Sequence, residues 1–311
     1  MKIVTANLCN GIRRTKGFEK KRLAQYAVNI GFKCGHACTY CSTPTMLRMQ
    51  LSKFGIKSSD QDCCVVDPDT PERVAQDAKS KTKRGLIQLC TTVDAWASEA
   101  QQFDLGPRCL EAILSQPGWT VRILTKNAAV AKNFDLIEKY RDRVLVGLSI
   151  TATPDQSDVI KIIEPNASSI EERLEVLQHA HNRGLRTYGM LCPLLPGIAD
   201  SPAQIDELVK HMVDCGVEEI FAEAVNPRGR GLIQTQQALE AAGFYDIAKA
   251  IENIRTGNVW SAYVTRLIKN VQQSVYKFYD ISKLRFLQYP KGLEADDIKQ
   301  VMDDDRGVVW L

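Results

Sequence analysis

The stretch Cys34-Gly35-His36-Ala37-Cys38-Thr39-Tyr40-Cys41 decides how the rest of the chain is read. Its cysteines are spaced C-x3-C-x2-C and follow an apolar run, Tyr26-Ala27-Val28-Asn29-Ile30. One short loop with that spacing wraps three thiolates around one face of an iron–sulfur cube. A [4Fe–4S] cluster usually takes four cysteines, so a loop that supplies three leaves one iron open to an outside ligand. Structural zinc is the competing reading for these cysteines and His36. Its common spacings need a second cysteine or histidine pair further on, and none of that kind follows.

The surrounding chain has 311 residues, 44 % hydrophobic and 25 % charged, enough for one large α/β domain with an appendage. It contains no run of about 18 apolar residues, so no membrane span is expected. No apolar signal-peptide core precedes Arg13-Arg14. Ten cysteines without such a signal argue for metal ligation in a reducing, cytoplasmic setting rather than for disulfides. The net charge of +3 says less than its distribution. Arg13, Arg14, Lys16, Lys20, Lys21, Arg22 and Lys33 crowd the entry to the cysteine loop, Lys79, Lys81, Lys83 and Arg84 form a second cluster, and 294–305 is acidic. Basic clusters beside a site suit a polyanionic substrate, although most charge runs are solvated surface.

Residues 1–24 read as a polar, basic lead-in. A strand over about 25–30 feeds the cysteine loop, and a helix from about 44 ends before Gly55. Residues 55–68, with Cys63-Cys64, lack periodicity and read as a loop. Thr70-Pro71-Glu72 opens a helix with a capping hydroxyl, an early proline and an acid near the positive end of the dipole. Strands are expected over 86–90, 121–125, 144–150, 186–191 and 219–222, alternating with helices. Ser168-Ser169-Ile170-Glu171 looks like a capping box for one of these, and Ser201-Pro202 opens another. Six strand–helix units in series imply a parallel sheet with right-handed crossovers. The fold class expected is α/β, a partial (β/α)6 TIM-type barrel over 25–224 with a mainly helical C-terminal extension over 225–311. Ligand chemistry then belongs at the carboxyl ends of the strands, where the cysteine loop lies. Trp260, Tyr263, Val264, Leu267, Ile268 and Val271 recur at helical spacing and read as core packing rather than a cofactor box. No cysteine follows Cys215, so the C-terminal part has no cysteines for an auxiliary cluster.

The cysteine spacing after the first strand resembles the radical S-adenosylmethionine (SAM) superfamily. In that family the open iron chelates the amino and carboxylate groups of SAM. An electron from the cluster splits the sulfonium, giving a 5′-deoxyadenosyl radical that takes hydrogen from an unactivated carbon. The resemblance implies a [4Fe–4S] cluster on Cys34, Cys38 and Cys41, with SAM as the second cofactor; Tyr40 is the family's usual aromatic. Within the family, Leu89-Cys90-Thr91-Thr92-Val93-Asp94 resembles the segment of spore photoproduct lyases that bears their hydrogen-donating cysteine, with Asp94 one place later than in that pattern. Leu124-Thr125-Lys126, Leu148-Ser149-Ile150-Thr151, Ile163-Glu164-Pro165, Ile170-Glu171-Glu172-Arg173-Leu174 and Pro193-Leu194-Leu195-Pro196-Gly197 extend the likeness over about 25–225. It implies that Lys126 meets the SAM carboxylate, that Ser149 faces SAM, and that Tyr40 with Pro193 and Leu194 flanks adenine. Cys90 would return a hydrogen to the substrate. An electron donor such as flavodoxin or ferredoxin is implied as well. The sequence departs from that subgroup at Ser42, where spore photoproduct lyases tend to carry another tyrosine, and its last third resembles no lesion-binding hairpin.

Each of these residues also has a plainer reading. A strand cysteine is usually a small buried hydrophobe, and a serine closing a strand is often a turn former. A lysine at a helix start is usually solvated, though there its charge opposes the dipole. Asn226-Pro227-Arg228-Gly229-Arg230-Gly231 suits a phosphate or an ordinary turn. Lys277, Phe278, Tyr279, Arg285 and Tyr289 interleave charge with aromatics, as base-stacking surfaces do. The leading expectation is hydrogen abstraction from a nucleic-acid substrate, a pyrimidine photoproduct or another modified base. Radical modification of a peptide or small metabolite, with a partner protein, is a second expectation. A non-enzymatic metal-binding module is a third.

Overall fold

A computed structural model describes residues 1–42, 63–227 and 230–311. The helix expected from about 44, and Arg228 with Gly229, lie outside the described residues. The first strands are β1 (Lys2–Thr5), β2 (Arg13–Arg14), β3 (Tyr26–Val28), β4 (Cys63–Val66) and β5 (Leu86–Leu89). They are followed by β6 (Thr120–Thr125), β7 (Val144–Ser149), β8 (Arg186–Leu194), β9 (Ile220–Ala224), β10 (Leu284–Gln288) and β11 (Val308–Trp310). Nine of them form one sheet in the order β11-β10-β9-β8-β7-β6-β5-β3-β2, in which only β2 runs antiparallel. The two edges, β11 and β2, do not pair with each other. The open α/β barrel expected from the sequence is therefore present.

Two features differ from the expectation. Among the described residues the barrel has eight parallel strands rather than six, because β10 and β11 from the C-terminal region join the sheet beside β9. These strands, five and three residues long, follow a long helix and break the strand–helix rhythm that reveals the others. Cys63 and Cys64, expected in a loop, lie buried in β4, which pairs with β1 of the polar lead-in as a separate two-stranded parallel sheet.

The helices cover the outer face. The longer ones are α1 (Thr70–Ser80), α2 (Leu105–Leu114), α3 (Ile170–Asn182), α4 (Pro202–Asp214), α5 (Gly231–Ala241), α6 (Tyr245–Asn253) and α7 (Gly257–Phe278). Thr70 is the first residue of α1 rather than its cap. The box that starts α3 runs from Ser169 to Glu172, one place later than expected, and α4 opens with a second box, Ser201 with Gln204. The α7 stripe is core as expected: Val264, Leu267, Ile268 and Val271 are fully buried, each stabilising the fold by about 1.5–3 kcal/mol.

The barrel interior has its own apolar layer, Leu145, Tyr188, Met190, Phe221 and Leu287, and Leu23 and Phe18 from the lead-in pack into it. Gly147 on β7 makes room for this layer, since a Cβ there would lie 2.4 Å from the Tyr188 ring. The buried guanidinium of Arg122 sits 4.5 Å from the Tyr188 ring centroid and 4.9 Å from that of Phe221, where the ring faces offset part of its lost hydration. This layer floors the barrel and leaves the carboxyl ends of the strands free for a site.

Candidate active site

The cysteine loop leaves the end of β3, and partners from distant segments set its conformation. The Gly35 N–H donates to Glu99 Oε1 at 2.7 Å, and Asn166 Nδ2 donates to the Gly35 carbonyl at 2.9 Å. The Thr39 N–H donates to the Ile163 carbonyl at 2.9 Å. Ala37 is held at φ +53°, a left-handed conformation that a non-glycine residue keeps only where its surroundings impose it. His36 is buried with Nδ1 3.1 Å from the Asn166 carbonyl and Nε2 2.9 Å from Asp94 Oδ2. A carbonyl only accepts, so Nδ1 carries a proton. Asp94 is also an acceptor for the Thr125 hydroxyl and for the Lys126 and Trp96 N–H groups, so Nε2 carries one too. Burial opposes the resulting charge, but the Asp94 carboxylate outweighs it and raises the His36 pKa.

Cys34, Cys38 and Cys41 all line one cavity of about 820 Å³ at the carboxyl ends of the strands. All ten cysteines are free thiols. Burial, and then the neighbouring Cys38, push Cys34 well above the ordinary thiol range; burial and then Glu164 push Cys38 to about 12. Thiolates that share one cavity need a positive partner to exist together. Iron supplies that charge, and the donor set, three cysteines and no fourth thiol in the loop, fits a [4Fe–4S] cluster with one open corner. Among the described residues no three His, Cys, Asp or Glu side chains converge as the ligands of a single ion would.

The wall beside the loop carries the expected cofactor-facing residues. Lys126 follows β6, lines the cavity, and places Nζ 2.9 Å from Glu164 Oε1 and 5.4 Å from the Tyr40 ring centroid. It is thus ion-paired rather than solvated. Glu164 also accepts hydrogen bonds from the Tyr40 hydroxyl, from Thr151 Oγ1 at 3.1 Å, and from Arg173. Burial alone would raise its pKa, but Lys126 and Arg173 outweigh burial and hold it at about 2. Two cations share one carboxylate, so the group keeps a net positive charge and still attracts an anion. Ser149 ends β7 at the cavity, and its carbonyl accepts from Arg173 Nη1 at 3.0 Å. Pro193 lines the cavity too. Leu194 does not: it is fully buried in the core beneath, where its carbonyl accepts from the Tyr263 hydroxyl.

Cys90 stands just past β5, lines the same cavity, and has φ +64°. Asn29 fixes this corner by accepting from the Thr91 and Thr92 N–H groups at 2.7 and 3.1 Å. Burial pushes the thiol well up, so it stays an S–H. The structure adds a second thiol that no sequence pattern singles out. Cys192, near the end of β8, faces the cavity with its sulfur 4.0 Å from Glu223 Oε2. Glu223 is paired with Lys21 at 2.9 Å. Burial, and then that carboxylate, raise Cys192 to about 12.

The mouth is formed by Arg255, Trp260, Tyr289 and Lys291. Trp260 belongs to the helical stripe read as core, yet it is half-buried and turns to the cavity. Of Lys277, Phe278, Tyr279, Arg285 and Tyr289, only Tyr289 reaches the cavity. Lys277 pairs with Asp206 and Arg285 with Glu219 elsewhere. Among the described residues, the cavity cations Lys21 and Lys126 have acidic partners, whereas Arg255 and Lys291 make no ion pair.

Comparison with known proteins bears on this arrangement. A family model, that of the Radical SAM superfamily, matches residues 28–211. An uncharacterised protein of Acidianus two-tailed virus is 26 % identical over 222 residues, which cover 70 % of this chain and 72 % of that protein. An uncharacterised protein of Methanocaldococcus jannaschii is 28 % identical over 178 residues, 57 % of this chain and 63 % of that protein. Among solved structures, spore photoproduct lyase complexed with dinucleoside spore photoproduct superimposes with a TM-score of 0.55 at 16 % identity, covering 76 % of this chain and 66 % of that one. A tyrosine-to-phenylalanine mutant of spore photoproduct lyase superimposes with a TM-score of 0.61 at 14 % identity, covering 89 % of this chain and 79 % of that one. At such identities these likenesses concern the fold.

Proposed function

The chain belongs to the radical SAM superfamily, whose members use a [4Fe–4S] cluster and SAM, and from that membership we propose an enzyme that abstracts hydrogen from a nucleic-acid base or base photoproduct. The observation that carries the reading is the sharing of one cavity by the three loop cysteines, Lys126 and Cys90. When bound, the cluster and SAM supply a hydrogen-abstracting organic radical. Cys34, Cys38 and Cys41 hold the cluster. Lys126 offers an ammonium to the SAM carboxylate, Ser149 a polar edge, and Tyr40 with Pro193 an apolar wall for adenine. Arg255 and Lys291 meet phosphates at the mouth, while Trp260 and Tyr289 give bases a stacking face. Cys90 Sγ keeps its hydrogen at neutral pH and gives it as an atom to the substrate carbon. A C–H bond forms as the S–H bond breaks. The sulfur radical left behind would be returned to a thiol by one electron from the flavodoxin- or ferredoxin-like donor and one proton from water. A flavodoxin- or ferredoxin-like protein in the cytoplasm delivers the electron for the cluster.

The experiment is direct. Anaerobically reconstituted, reduced protein is mixed with SAM and UV-irradiated DNA, and both deoxyadenosine and restored thymine are measured. Deoxyadenosine with restored thymine is expected. Deoxyadenosine without any DNA product would move the substrate to a peptide or metabolite. No deoxyadenosine under any condition would end the radical reading.

A further inference from the structure

Donors from four separate segments converge on one buried carboxylate. Glu164 accepts from the Tyr40 hydroxyl in the cysteine loop, Lys126 Nζ after β6, Thr151 Oγ1 after β7, and Arg173 in α3. We infer that Glu164 is a positioning residue that clamps the cysteine loop to the cofactor-facing lysine. Tyr40 and Lys126 are then set relative to each other by the protein alone. The inference rests on the cofactor reading above, because only with it does that relation matter to chemistry.

Three observations support the clamp. Tyr40 lies between two of the cluster cysteines, so fixing its hydroxyl restrains the backbone that joins Cys38 to Cys41. Hydrogen bonds to a charged acceptor are roughly twice as strong as neutral ones, and Glu164 is held ionised by two cations. Arg173, moreover, has other anchors: it also donates to the Ser168 and Ser149 carbonyls at 2.8 and 3.0 Å. A carboxylate needed only to satisfy Arg173 would have no use for a hydroxyl and an ammonium from the cavity wall. Groups that orient the ligands of a metal are commonly worth about 10–100-fold in affinity.

The test compares wild type, Tyr40→Phe, Glu164→Gln and the double variant, all reconstituted anaerobically. Two quantities are read: the rate at which a ferrous chelator strips iron, and the SAM dissociation constant from the change SAM makes in the cluster's EPR spectrum. Tyr40→Phe leaves the other three donors in place, so the apoprotein should fold and melt as wild type does. We expect it to weaken SAM binding and speed iron loss, each by about 10-fold. In the Glu164→Gln background the same change should add little, since the hydroxyl has already lost its charged acceptor. Wild-type iron release and SAM affinity in Tyr40→Phe would overturn the inference, as would full additivity of the two substitutions. Failure of the cofactor reading looks different: the wild-type protein itself would then retain no iron.

Discussion

Gly231, the first residue of α5, sits directly on the backbone of Tyr40: a Cβ at that position would lie 2.5 Å from the Tyr40 carbonyl oxygen and 3.1 Å from its Cα. Helix and loop are also joined by the hydroxyls of Thr235 and Thr39, 2.9 Å apart. α5 therefore packs directly against the cysteine loop.

Gly231→Ala tests that contact, and two effects compete. Alanine favours a helix over glycine by up to about 1 kcal/mol. The clash is with backbone, which cannot swing aside, and overpacking of this kind costs about 1–3 kcal/mol. We expect a net loss of stability in chemical denaturation and faster iron loss from the reconstituted protein. A variant as stable as wild type would show that the loop yields freely.

Cys90 and Cys192 are both protonated at neutral pH, so both exchange with solvent deuterium. In D2O the product of the enzyme should carry one carbon-bound deuterium, read by mass spectrometry. Cys90→Ala should bring that label close to zero, and Cys192→Ala should leave it in place. The opposite pattern would reassign the donor to the thiol beside Glu223.

Arg255 and Lys291 are exposed cavity-lining cations with no ion pair among the described residues, Arg255 donating only to the neutral Gln236 Oε1 at 3.2 Å. Each neutralised contact contributes about 0.7 to the slope of log affinity against log salt for a single strand. Arg255→Gln and Lys291→Gln should each lower the measured slope by about that amount. Binding that ignores salt would speak against a polyanionic substrate.

Asp94 accepts from His36, Thr125 and two backbone N–H groups. Asp94→Asn leaves the buried imidazolium without its counter-charge, and breaking a buried pair this way costs about 3–5 kcal/mol. Urea denaturation of the apoprotein should show a loss of that order. A loss below about 1 kcal/mol would mean that the pair is as weak as an exposed one.

The pH dependence of the apoprotein follows from Glu164, whose pKa is lowered from its ordinary 4.5 to about 2. A depressed carboxylate contributes stability that is fully present above its unfolded value and is lost as pH falls through its folded value. The melting temperature should therefore decline from about pH 4.5 toward pH 2. Glu164→Gln should decline less steeply over that window, and equal slopes would mean that Glu164 is ordinary in the folded chain.

How much of this is legible in the sequence depends on the distance between the partners. The cluster cysteines fall within eight consecutive residues, Cys34 to Cys41, so their spacing alone brings them to one face of one loop. The inner strands are apolar runs because parallel strands are covered on both sides, and β6, β7 and β8 are readable for that reason. Short strands carry little such pattern, which is why β10 and β11 are hidden behind α7. Trp260 follows the helical period of its core neighbours, and nothing in that period says where a cavity begins.

The sequence by itself determined the parallel α/β architecture and the three-thiol loop, because both are written in short-range pattern. Only the tertiary structure decided which charges meet. Tyr40 and Glu164 are 124 residues apart, and Lys21 and Glu223 are 202 apart. Such pairs depend on which strand ends lie side by side in the sheet. Their stabilisation exists only once water has been excluded from the cavity wall, and no local run of residues encodes that.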